Sequence, residues 1–202
     1  MGKAVKFWHS SQMKNDQEGK KSKRLTRDEW LSQALEVLAS RGPGKLNIEN
    51  LSAALGVSRG SFYWHFEDRR NFIISLLDFW HERYTEPVPE QMAAAGVRGR
   101  EKLEYFLNMI TSEDLTRFDL PIRSWAMQER EVAQRLLRTD QFRLDYTRQL
   151  FRELGFEGAD AETRARACVA MLTMMGHMPA PERALSSEDR LNALLRLFTG
   201  KD

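Results

Sequence analysis

A short stretch after Val57 contains side chains whose types and spacing suit hydrogen bonding to another molecule. Arg59 and Ser61 fall near the start of a predicted helix, where side chains can face the edges of bases in a DNA groove. Arginine bound to guanine is the commonest specific contact of this kind. The alternative is that Arg59 meets only phosphate or solvent.

The neighbouring residues fit the same chemistry. Gly60 lets the helix backbone approach a partner closely, although glycine is also tolerated near a helix start. Tyr63 and Trp64 are predicted to be exposed, because Phe62 and Phe66 occupy the inward face of so short a helix. Exposed rings would touch phosphates, sugars or thymine methyl groups. The alternative for Trp64 is packing on the preceding helix.

The sequence gives little indication of catalysis or of metal binding. His65 is predicted to donate to a backbone phosphate, since His9, His81 and His177 share no metal-ligand spacing with it. No Ser/His/Asp spacing, glycine-rich phosphate loop or carboxylate cluster indicates an enzyme. Cys168 lies within a long apolar helix, where inert packing is the expected role. We therefore expect no enzymatic activity, no metal and no other cofactor.

Two short helices must position the residues around Arg59. Asn47 is the expected N-cap of the first helix, Gly56 ends it with a positive φ, and Ser58 caps the second helix. A small core between the two helices is predicted from Leu51, Leu55, Val57 and Phe62. This arrangement is a helix-turn-helix, whose second helix can lie in the major groove. The alternative is an ordinary corner between two helices.

Helical spacing continues on both sides of this motif. A capping box at Thr26 and Glu29 opens a helix that ends near Arg41, and Asp68 caps a longer helix. Beyond a junction over residues 86–99, helices are expected near 100–111, 118–127, 129–154, 159–178 and 186–199. No stretch alternates convincingly with period two, so the predicted fold class is all-α.

Composition and charge limit the class of protein and the cell compartment that the sequence can indicate. The chain is 42% hydrophobic, enough for a packed core, and its single cysteine excludes a disulfide framework. The first 24 residues contain seven Lys/Arg and two Asp/Glu, so residues 1–25 are predicted to form a basic flexible arm that is attracted to a polyanion. A solvated leader is the alternative. We expect no membrane span and a cytoplasmic location.

The region around the helix-turn-helix resembles the TetR family of transcriptional regulators. The resemblance is close over residues 26–84, and beyond them only the helical pattern is similar. It is carried by Leu35, Leu38, Gly42, the run LSAALGVSRGSFYWHF over residues 51–66, Arg69 and Phe72. The family more commonly has Thr, Ala and Leu at three positions, which are here Asn47, Ser52 and Phe62.

The resemblance implies that different parts of the chain have different functions. Residues 26–70 would form a three-helix DNA-binding domain, helix 69–85 a connection, and residues 86–202 a helical ligand-binding and dimerisation domain. By the same resemblance, Arg69 is a phosphate anchor at a helix start, and Asn47 touches phosphate in addition to capping its helix.

A cavity in the second domain is also implied by the resemblance. The helices there are rich in Met and aromatic residues, which suit either a core or a site for a small apolar or aromatic effector. The predicted cavity walls are Trp80, Tyr105, Met109, Trp125, Phe142, Tyr146, Met171 and Met174.

Helix 159–178 predicts a dimer, because a helix that is apolar most of the way round must be covered on two sides. The alternative is complete burial within a monomer. With the last helix it would form a four-helix interface, as in the family, through Ala165, Cys168, Val169, Leu172, Gly176, Leu191, Leu194, Leu195 and Phe198.

Together these features predict a homodimer that binds a palindromic operator in double-stranded DNA and regulates transcription, as a repressor released by a small ligand. An activator or a ligand-independent regulator is the nearest alternative, and a helical adaptor that binds protein is more remote. The predicted DNA contacts are Asn47, Ser58, Arg59, Gly60, Ser61, Tyr63, Trp64, His65 and Arg69.

Overall fold

The computed structural model describes residues 25–178 and 186–200, so nearly all of the predicted basic arm lies outside the described residues. Over the described ranges the chain is helical and contains no strand, as predicted. The α-helices are α1 (Arg27–Arg41), α2 (Ile48–Leu55), α3 (Arg59–His65), α4 (Arg69–Tyr84), α5 (Val88–Ala95), α6 (Gly99–Ser112), α7 (Asp119–Ala126), α8 (Arg130–Glu153), α9 (Gly158–Met175) and α10 (Ser187–Thr199).

Local hydrogen bonds explain where the first helices begin. The Thr26 side chain accepts from the backbone N–H of Glu29, whose carboxylate accepts from the backbone N–H of Thr26, so the predicted capping box is confirmed. Asn47 and Asp68 each accept a hydrogen bond from the backbone N–H three residues later. Ser58 occupies the N-cap position of α3, but its side chain makes no capping hydrogen bond. The predicted capping role of Ser58 is therefore wrong.

Helix α5 lies within the segment that was predicted to be a junction. Pro87 is its N-cap residue and Pro89 falls in its first turn, where a missing backbone N–H costs no helical hydrogen bond. Gly96 ends the helix with φ of 67°. The prolines that suggested a break therefore mark the start of a helix.

Two hydrophobic clusters hold the helices together. The first joins α1–α4 to α7 and to the beginning of α8, through residues such as Trp125 and Val132. The second joins α5, α6, the end of α8, α9 and α10. The domain boundary predicted at residue 86 does not separate these clusters, because α7 and the first part of α8 pack with α1 and α4.

Candidate nucleic-acid interface

Helix α3 is fixed by one fully buried aromatic side chain. Phe62 is 1% exposed, and its ring lies 5.7 Å from that of Trp30 on α1 and 5.3 Å from that of Phe72 on α4. Phe66 closes the cluster at 5.0 Å from Phe62. A helix of seven residues is too short to be stable alone, so this cluster sets its position and its outward face.

The outward face of α3 carries the residues predicted to read DNA. Tyr63 and Trp64 are 60% and 71% exposed, which confirms the predicted exposure and shows that Trp64 is not buried against α2. Arg59 and Gly60 are also exposed, and Ser61 is half-buried. The outward face of α3 thus combines the Arg59 cation, the exposed backbone of Gly60 and the aromatic rings of Tyr63 and Trp64.

Gly60 is not required by the fold itself. A Cβ atom built at this position would have Ser58 Oγ at 3.7 Å as its nearest neighbour, which is an ordinary contact. The backbone here has no positive φ. Alanine would therefore fit, and the fold does not explain the glycine. Close approach of a partner to the backbone of α3 would explain it.

The Arg59 guanidinium is held only loosely. It lies 3.2 Å from a Glu49 carboxylate oxygen on α2, and both side chains are more than half exposed. Exposed pairs of this kind contribute little to stability, so Arg59 can exchange Glu49 for another acceptor at small cost.

His65 was predicted to donate to a backbone phosphate, and one of its ring nitrogens is engaged within the chain. Its Nε2 lies 2.9 Å from the Leu25 carbonyl oxygen, to which it donates. This bond ties the end of α3 to Leu25, which precedes the N-cap residue of α1. A phosphate contact through Nε2 is therefore excluded in this conformation.

Arg69 also differs from the prediction. Its guanidinium donates to both carboxylate oxygens of Glu129, the residue before α8, and these bonds lower the pKa of Glu129. Beside it, Arg70 lies 3.2 Å from Glu131. The expected phosphate anchor is thus occupied by an acceptor within the chain. Sequence spacing contained no signal for this contact between residues 60 positions apart.

The predicted cavity walls are only partly correct. A cavity lies between α4, α5, α6, α8 and α9, and of the eight predicted residues Phe142 and Tyr146 line it. Trp80 and Trp125 are buried in the first hydrophobic cluster, whereas Met109 belongs to the second. The remaining three lie elsewhere, with Tyr105 and Met174 each 40% exposed and Met171 packed at the edge of the second cluster.

The cavity also contains polar residues that the sequence analysis missed. Arg143 lines it and pairs with Asp119 on α7 at 2.5 Å, and the Asp119 side chain is fully buried. The sequence of α8 does contain a pattern that indicates a buried partner for Arg143. Arg143 stands in helical register between the buried Thr139 and Thr147, and an arginine there requires a buried partner.

The predicted dimer stripe mostly faces inwards. Five of its residues are at most 5% exposed and form the second hydrophobic cluster, namely Ala165, Cys168, Leu172, Leu195 and Phe198. They cannot contact another subunit without unpacking this one. Val169, Leu191 and Leu194 are half-buried, and Gly176 is exposed. Burial raises the pKa of the Cys168 thiol to about 12, in line with the inert role predicted for it.

Two further classes of site are absent from the residues that the structure describes. No group of three or more His, Cys, Asp or Glu side chains in this part of the chain is arranged to hold a metal ion. In the same ranges, no helix has the length and apolar character needed to cross a membrane.

Comparison with known proteins agrees with the geometry of the N-terminal helices. Residues 31–76 match the family described as bacterial regulatory proteins, tetR family. The chain is 30% identical over 59 residues to the HTH-type transcriptional regulator TtgR of Pseudomonas putida. That match covers 29% of this chain and spans 28% of TtgR.

Solved structures extend the likeness in fold to most of the chain. A TetR-like transcriptional regulator from Rhodococcus sp. RHA1 has a TM-score of 0.61 at 19% identity, covering 88% of this chain and 100% of that one. The fatty acid degradation regulator FadR from Bacillus halodurans has a TM-score of 0.63 at 18% identity, covering 91% and 97%. At these identities the likeness shows a shared fold.

Proposed function

We propose, from the TetR-family sequence of residues 31–76, that this protein binds specific sites in double-stranded DNA and regulates transcription in the cytoplasm. The observation that carries the proposal is the outward face of α3. Arg59, Gly60, Tyr63 and Trp64 stand exposed together while Phe62 fixes the helix from behind. Asn47, Ser58 and Ser61 are proposed as supporting contacts.

Selection of bound duplexes from a random pool tests this function directly. We expect the recovered sequences to share a palindrome whose half-sites are one helical turn apart, about 34–36 Å. The affinity for that palindrome should exceed the affinity for bulk competitor DNA at every salt concentration tested. Recovery of sequences with no common motif would contradict the proposal.

A palindromic site requires two copies of the reading helix, and we propose that α9 and α10 provide the contact. With one stripe of α9 buried in its own core, the opposite stripe remains for a partner. This stripe consists of Ala167, Ala170 and Met174, and the exposed side chains of Met178, just beyond α9, and of Leu197 on α10 are proposed to extend it. Such an apolar surface on two adjacent elements is typical of an interface between subunits.

Replacing Ala170 with arginine should convert the dimer to a single copy, because the change introduces a charge into the proposed apolar interface. Sedimentation equilibrium measures the mass of each form. L137R is the matched control, since Leu137 on α8 is 66% exposed and lies outside this stripe. Equal masses for wild type and A170R would contradict the proposed face.

We further propose that the protein is a repressor whose DNA affinity is altered by a ligand in the cavity. Helix α4 supports this link, because its last residue, Tyr84, lines the cavity while its first, Arg69, adjoins α3. The 16 residues of α4 span about 24 Å. A ligand releases DNA only to the extent that it binds the two conformations differently.

Glu129 is proposed to compete with DNA for Arg69. In E129Q the negative charge is lost, so the guanidinium is freer to meet phosphate, and we expect DNA affinity to rise about two- to fivefold at low salt. Fluorescence anisotropy with a labelled duplex measures the change. E153Q removes an equal charge from the pair with Lys102 at the far end of α8 and should have a smaller effect. Weaker binding by E129Q would instead indicate that the pair positions the DNA-binding helices.

A further inference from the structure

The cavity beside α4 has the lining of a binding site for a small molecule. Its volume is about 50 Å³, which is below the usual range for pockets of drug-sized ligands, so it suits a ligand of a few heavy atoms. Most of its wall is apolar and includes Phe106, Ile110, Phe142, Val169 and Leu172. The few polar groups of the wall therefore determine which chemical class of ligand the cavity favours.

The charge of Arg143 in the wall is neutralised by Asp119. Arg143 donates to both carboxylate oxygens of Asp119, at 2.5 and 3.2 Å. Its Nη2 and Nε also donate to Thr85 Oγ1, at 2.8 and 3.1 Å. The aromatic face of Trp80 lies 5.1 Å from the guanidinium carbon. The cation is therefore balanced, and four of its five N–H groups donate within the protein.

Two threonine hydroxyls of the wall are engaged as well. Thr116 donates to the Leu172 carbonyl oxygen at 3.1 Å, and Thr173 donates to Asp119 at 3.3 Å. Neither is left with an unsatisfied proton that a ligand must accept.

Tyr146 differs from the polar groups described above. Its hydroxyl oxygen is buried and has no hydrogen-bond partner among the described residues, although the residue lines the cavity. Burial and the neighbouring Glu153 raise the pKa of Tyr146 to about 12, so the hydroxyl keeps its proton and remains a donor. A buried donor without an acceptor is costly, and an acceptor on a ligand would remove that cost.

We propose that the cavity binds an uncharged, mainly apolar molecule that carries a carbonyl oxygen, and that this oxygen accepts a hydrogen bond from Tyr146. The inference rests on the proposed function only in assigning the cavity to the effector. A carboxylate is disfavoured, because it would lose its hydration and find Arg143 already neutralised by Asp119. A cationic ligand would gain nothing from Asp119 for the same reason.

Calorimetric titration of the full chain with butanone and with butanoate tests the proposal, since the two probes are similar in size and differ in charge. We expect the wild-type protein to bind the ketone about tenfold more tightly than the carboxylate. Y146F should weaken ketone binding about three- to tenfold, the worth of one hydrogen bond. Y105F is the matched control, because Tyr105 lies outside the cavity wall, and it should leave the affinity unchanged.

D119N supplies the opposite test. Removing the carboxylate charge leaves Arg143 unbalanced, so this variant should favour butanoate over the ketone. Tighter binding of butanoate by the wild type, equal ketone affinity in Y146F, or no binding of either probe would overturn the proposal. DNA binding is measured separately on the selected duplex. Ketone binding that leaves duplex affinity unchanged contradicts the regulatory role and leaves the ligand class intact.

Discussion

R59A is expected to lower affinity for the selected operator by about ten- to a hundredfold for each half-site, while binding to unrelated DNA changes little. An arginine that contacts a base edge contributes roughly 1–3 kcal/mol of discrimination. The structure leaves Arg59 available for this contact, because its pair with Glu49 is exposed. Fluorescence anisotropy on the selected and on a scrambled duplex, at one salt concentration, measures both effects.

R41A provides the control for loss of one positive charge. Arg41 is exposed at the end of α1, on a different helix from Arg59, and its removal should alter both affinities slightly. If R59A weakened binding to the two duplexes equally, Arg59 would be a phosphate contact. If neither changed, the outward face of α3 would not be the DNA-reading surface, and a protein partner would become the better explanation of its exposed rings.

F62A is expected to destabilise the fold by about 3–5 kcal/mol, as is usual when a buried phenylalanine is truncated in a core. Phe62 contacts rings on α1 and α4 as well as Phe66, so its loss leaves a cavity where three helices meet. Chemical denaturation followed by circular dichroism gives the free energy of unfolding.

Y63A is the matched control for F62A, since the next residue on the same helix is 60% exposed. Its free energy of unfolding should change by about 0.5 kcal/mol or less. Should F62A prove too unstable to purify, F62L removes less volume and should show a smaller loss in the same direction. Equal stabilities for F62A and Y63A would contradict the assignment of inner and outer faces on α3.

The helix ends around the helix-turn-helix were predictable because short-range interactions determine them. Thr26, Asn47 and Asp68 cap their helices through backbone groups three residues away. The inner and outer faces of α3 followed from the same local reasoning, since a helix of two turns has room for few inward side chains. Ser58 shows the limit of the pattern, because a residue at the N-cap position need not use its side chain.

The positions of residues far apart in sequence were not predictable in this way. The apolar pattern of α9 indicated two faces but not which one meets its own core. Only packing with the other helices of the second hydrophobic cluster placed Cys168 inside and Ala170 outside. Likewise, Arg69 meets Glu129 because α4 and α8 lie side by side. The cavity walls depended on five helices at once.

The sequence by itself therefore determined the all-α class, the helix-turn-helix and the orientation of α3, because each depends on neighbours within one or two helical turns. The tertiary structure alone decided the partner of Arg69, the buried pair of Arg143 with Asp119 and the face of α9 that remains exposed. Those outcomes depend on how separate helices pack. An amphipathic pattern indicates that one face of a helix is buried, but it does not indicate which helix covers that face.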